Sequence, residues 1–143
     1  MKQLFFIVFL GLMHYSCNRT NTVLPETLAG NWRMTLVKVN ATGAITTKPS
    51  SITGEVEITF TPASTTNGSF IGRTPTNDIM KNDYSIGTNQ SITIPVLSMT
   101  KVAETTWGHE FVDNIRSSKE YHFENCYTLK IITENKMLTF KKR

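Results

Sequence analysis

The sequence predicts a mainly β domain, an antiparallel meander forming a small curled sheet or barrel, with one late amphipathic helix. Three observations carry this prediction. Apolar residues recur at every second position through most of the chain from Leu28 onward. One segment near residue 110 instead repeats every four residues. Threonine, whose branched side chain suits a half-buried pleated surface, is abundant throughout. The 143 residues, 39% apolar and 10% aromatic, are one domain's worth of chain with enough apolar material for a core.

Taken in order, Trp32, Met34 and Leu36 alternate with Arg33, Thr35 and Val37, which predicts a strand with one apolar face. Val56, Ile58 and Phe60 alternate with Glu57, Thr59 and Thr61 in the same way. The stretch from Pro62 to Lys81 is polar and rich in Thr, Asn, Gly and Pro, and predicts mostly loop with one short strand. Phe70 and Tyr84 are assigned to shorter strands. Ile92 and Ile94 repeat the alternation, and Pro95 marks an edge or a break. Trp107, Phe111 and Ile115, with Val112 filling the same face, form the stripe of an amphipathic helix. Thr105 or Thr106 can cap it, and Ser117-Ser118 ends it. Leu129 with Ile131, and Leu138 with Phe140, predict a closing hairpin turning at Thr133–Lys136.

The first residues differ from the rest. Lys2 precedes a ten-residue apolar block, Leu4 to Met13, that would rise about 15 Å as a helix, half of what a bilayer core requires. The block therefore reads as the hydrophobic region of a signal peptide over residues 1–16. It runs into Ser16-Cys17, which resembles the lipobox of bacterial lipoproteins, with His14 standing where an aliphatic residue is usual. That resemblance implies acylation of Cys17, a tether over 17–27, a domain over 28–143, and a lipid-anchored place in the cell envelope. Asn18 replaces the aspartate of an inner-membrane retention signal, which favours the outer membrane. Were Cys17 left unacylated, it could instead pair with Cys126. Were it acylated, Cys126 would be expected as a small buried hydrophobe.

Candidate chemistry is sparse. His109-Glu110-Phe111-Val112-Asp113 approaches the zinc-protease H-E-x-x-H string, but its last position is Asp113, and a solvated helix face produces such a string easily. His122 and Cys126 lie four apart, about 13 Å along a strand and beyond hydrogen-bond reach. No G-x-S-x-G elbow and no phosphate-cradling glycine loop is present. No enzyme activity, cofactor or metal is expected. The net charge of +4 and pI near 9.2 come from scattered basic residues, and only Lys141-Lys142-Arg143 cluster. A terminal triplet reads as a solvated tail, so nucleic acid is not expected as a partner.

Read together, residues 28–141 resemble the META/HslJ-like family and the lipocalin-like lipoproteins related to it. Leu28, Gly30 and Trp32 match an opening L-x-G-x-W strand. Gly72 through Asn77 with Tyr84 is similar to the family's G…CN…G-x-Y segment, although Thr76 replaces the cysteine. Thr100-Lys101, Glu104, Trp107, Glu110 and Phe111 match the segment that leads into its helix, and Leu138-Thr139-Phe140 the end of the domain. The resemblance implies a small barrel-like domain on an envelope lipoprotein, loosely linked to envelope stress tolerance, and it brings no catalytic residues.

The expected role is therefore a non-enzymatic binding domain for a small apolar ligand or an envelope protein. If a cavity exists, Trp32, Phe60 and Trp107 are its candidate lining, although aromatics on apolar faces usually just fill a barrel this small. An inhibitor or scaffold module docking on another envelope protein is the alternative. Lysozyme-inhibitor-like modules present acidic surfaces, whereas this domain is net positive.

Overall fold

In the computed structural model, residues 27–143 are described; Cys17, the leader and nearly all of the tether lie outside them. The alternation becomes nine strands and one helix. They are β1 (Gly30–Val39), β2 (Ile45–Thr47), β3 (Glu57–Pro62), β4 (Asn67–Arg73) and β5 (Asp78–Ile86), then β6 (Ile92–Thr93), α1 (Thr106–Ile115), β7 (Ser118–Asn125), β8 (Thr128–Thr133) and β9 (Lys136–Lys142). All pair antiparallel in the sheet order β6-β5-β4-β3-β1-β9-β8-β7, with β2 added beside β1. The ribbon curls until its ends meet at an isolated bridge, Ser91 to Glu120. The result is the expected meander nearly closed into a barrel, with a seam between β6 and β7.

Inward positions of every strand except β2 fill the interior, and α1 covers the end of the barrel where β9 begins. Thr105 caps the helix by accepting the Gly108 N–H at 3.0 Å. Trp107, Phe111 and Ile115 are buried on its inner face, and Phe111 meets Phe140 edge-on at 6.4 Å. At the opposite end, Leu28 is 2% exposed and its carbonyl accepts the Trp32 Nε1–H at 2.8 Å. Among the described residues no helix is long and apolar enough to cross a membrane.

The structure departs from the predicted elements in two places. In β1 the pairing with β9 slips between Met34 and Leu36, so Thr35 is an extra residue. The bulge flips the alternation, and Val37, 2% exposed, takes the inward place predicted for Leu36. Secondly, the predicted loop from Pro62 to Lys81 is mostly two long strands, β4 and β5, joined by the short turn Thr74–Asn77. Their signal is weak because two inward positions are glycines. A Cβ at Gly72 would run into the Glu57 carbonyl oxygen, and one at Gly68 would lie 2.5 Å from the Tyr84 hydroxyl. Close approach of neighbouring groups replaces the missing side chains. Cys126 is half-buried in the β7–β8 turn.

Pro95 does mark a break. After β6 the chain leaves the sheet and returns at Ser98, where Asn82 takes over the ladder. Its Oδ1 accepts the Ser98 N–H at 2.6 Å and its Nδ2 donates to the Ser98 carbonyl at 3.2 Å. The buried amide thus stands in for a strand partner.

The bulge makes a testable prediction. In urea unfolding, Val37→Asn is expected to cost about 3 kcal/mol and Leu36→Asn about 1 kcal/mol, the reverse of uninterrupted alternation.

Candidate functional site

The three candidate lining residues are all buried: Trp32 is 0%, Phe60 2% and Trp107 1% exposed. Trp32 and Phe60 stand on the paired strands β1 and β3, whereas Trp107 belongs to α1 at the other end. The Trp32 ring lies 5.8 Å from that of Phe123, with the Lys142 ammonium 5.4 Å from its centroid. Phe60 packs on Phe70 at 5.5 Å and edge-on against Tyr84 at 5.2 Å. These rings pack on one another and on their neighbours. Two interior polar groups, the Tyr84 hydroxyl and Trp107 Nε1, are buried without a hydrogen-bond partner among the described residues. Burial, and then the nearby Tyr121 hydroxyl, push the Tyr84 pKa up.

A second cluster joins the β4–β5 turn to the segment entering α1. Asn77, 3% exposed, accepts from Thr100 Oγ1 at 3.0 Å and from the Val102 N–H at 2.7 Å. Its amide donates to the Val102 carbonyl at 2.9 Å and to Glu104 Oε2 at 3.0 Å. The Glu104 carboxylate also accepts from the Thr74 hydroxyl, from Thr76 Oγ1 at 2.7 Å and from the Thr105 N–H at 2.9 Å. Burial pushes this carboxyl upward, but the donors outweigh it and hold its pKa below the ordinary value. The cluster fixes where the helix begins. Periodicity gives no sign of it, but Asn77 and Glu104 both fall in the motifs that carry the family resemblance.

The remaining candidate strings stay at the surface. His109 Nδ1 lies 3.6 Å from Asp113 Oδ2 with both side chains exposed, the geometry of a solvated helix face. His122 Nε2 contacts Glu120 Oε2 at 3.2 Å. Among the described residues no group of three or more His, Cys, Asp or Glu is placed to hold a metal ion. Cys126 is engaged and is not a free thiol. Cys17, and with it the choice between acylation and pairing, lies outside the described residues.

Grooves formed by described residues lie outside the barrel. One groove of about 500 Å³ lies along the seam side, with Ile94, Leu97, Met99 and Val112 as apolar lining and Asp113 and Arg116 as charged lining. A second, of about 450 Å³, lies over β3, β4 and β5 and is lined by Glu57, Ile71, Arg73, Met80 and Lys81, among others. A third, of about 360 Å³, lies beside Gly68 and Tyr84.

No protein-family model and no curated protein matches the chain. Among solved structures, the NMR structure of a protein from Burkholderia xenovorans is similar, with a TM-score of 0.55 and 17% identity. The match covers 80% of this chain and 81% of that one, and it is a likeness of fold.

The Glu104 cluster predicts an acid-side loss of stability. A carboxyl whose folded pKa is depressed stabilises fully above its unfolded value, near 4.5, and loses that contribution as pH falls through the lower folded pKa. Glu104→Gln is expected to lower Tm at pH 7, with the gap to wild type closing below about pH 4.5. Thermal unfolding between pH 7 and 3 checks this.

Proposed function

We propose that this protein is a non-enzymatic, lipid-anchored module of a bacterial cell envelope, held at the outer membrane through Cys17 and working through the outside of its barrel. The burial of the candidate lining residues is the observation that carries the reading. Trp32, Phe60 and Trp107 are packed core residues, and the grooves described lie on the outer surface. The leader and the Ser16-Cys17 junction support the anchor, whereas the engaged Cys126 favours the alternative in which Cys17 is left unacylated. The resemblance to META/HslJ-like lipoproteins supports the envelope setting, and through it a role in envelope stress tolerance. The partner in this reading is an envelope component met at the barrel surface.

A second reading, a carrier of a small apolar ligand, is favoured by the unpartnered Tyr84 hydroxyl and Trp107 Nε1 inside the barrel. A ligand with one hydrogen-bonding group would satisfy either, but only after the interior opened.

Two measurements test these readings. Intact mass of the membrane-extracted protein is expected to show a chain beginning at Cys17 with acyl chains attached, and an unacylated Cys17 would remove the anchor. Native mass spectrometry of the gently purified protein is expected to show the bare chain, and a small mass lost on denaturation would favour the carrier.

A further inference from the structure

Basic side chains scattered along the sequence are gathered by the topology. Strands β9, β1, β3 and β4 are consecutive in the sheet. Glu57 is the one acidic residue in these four strands, against Arg33, Lys38, Arg73 and Lys141 at outward positions. Lys136, held by Glu110, and Lys142, over the Trp32 ring, fall in the inward row of β9. Register places Lys141 opposite Arg33, Arg33 opposite Glu57, and Glu57 opposite Arg73, with Asp78 ending the row on β5. Trp32 and Met34 point inward, so Arg33 and the residues level with it point outward. Glu57 is only 7% exposed and is already held by Arg73, at 2.8 Å, and by Arg143. The face therefore keeps an excess of positive charge.

Beside this row, in the same groove as Arg73 and Lys81, Ile71 and Met80 are 52% and 55% exposed. Exposed aliphatic tips among cations suit the headgroup boundary of a membrane, where the tips enter the acyl region and the cations meet phosphate. The chain also enters the barrel here, because β1 lies in the middle of the face. Nine residues, 18–26, extend at most about 30 Å, so an anchor at Cys17 keeps this face near the bilayer.

We infer that the outer face of β9-β1-β3-β4, with Ile71 and Met80 at its side, docks on an anionic phospholipid surface. The inference deepens the anchored reading and rests on it for the nearness of a membrane, while the surface itself can be tested without the anchor. Residues 18–143 keep every strand and every core residue described and lack Cys17. This chain is sedimented with vesicles of phosphatidylglycerol mixed with phosphatidylethanolamine, and with vesicles of phosphatidylcholine alone.

Binding to the anionic vesicles, weakened by added salt, is expected, with little to the neutral ones. Arg33→Gln with Lys141→Gln is expected to weaken binding roughly twenty-five-fold, at about fivefold for each cation removed. Ile71→Ser with Met80→Ser, both at exposed positions, is expected to weaken it about tenfold with Tm unchanged. No binding, equal binding to both vesicles, or binding that both double variants leave intact would overturn the inference. So would capture by an acidic protein without vesicle binding. Absent vesicle binding alongside an acylated Cys17 defeats the docking face and leaves the anchor standing; the converse result defeats the anchor alone.

Discussion

An eight-strand ring encloses little more space than its own inward side chains occupy, and most of this structure follows from that limit. Large residues sit where there is room for them: Trp32 and Phe140 on strands, Trp107 and Phe111 on the helix that covers one end. Where neighbouring groups crowd the wall, as at Gly68 and Gly72, side chains are absent altogether. The same limit turns attention outward, where the grooves formed by described residues lie.

The helix is the least local part of the design. It interrupts the meander between β6 and β7, and nothing in the sheet itself would fix where it begins. Asn77 and Glu104 supply that fix by tying the β4–β5 turn to the chain just before the first helical turn. A buried amide and a carboxylate with several donors hold their geometry well, because each unmet partner would cost about 1–3 kcal/mol. Residues nearly thirty positions apart thus act as one joint.

How much could be read from the sequence depended on how regular each element is. Val56, Ile58 and Phe60, the stripe Trp107–Phe111–Ile115, and the hairpin after Leu129 all lie where predicted, since their apolar period is unbroken. Leu36 and Val37 exchanged places because one extra residue at Thr35 reverses every position after it, and a bulge leaves no mark in composition. β4 and β5 were hidden for another reason: their inward positions include Gly68, Gly72 and Asn82, which read as loop residues. The candidate site was less legible. Trp32, Phe60 and Trp107 are as apolar as expected, but composition cannot say whether a ring leaves space or fills it. The basic face was invisible for a topological reason, since Arg33, Arg73 and Lys141 become neighbours only through strand pairing.

The pairing of β1 with β9 has a consequence in time. Trp32 through Val39 are bonded to Lys142 through Lys136, so the first long strand takes as partner a strand that follows every other element of the sheet. Before β9 docks, β1, β3, β4 and β5 make an open ribbon. Docking of β9 between β1 and β8 is the step that latches the ring, and such distant pairing is slow to form. Loss of β9 would therefore leave the whole wall unlatched, where loss of β2 would remove only a flap.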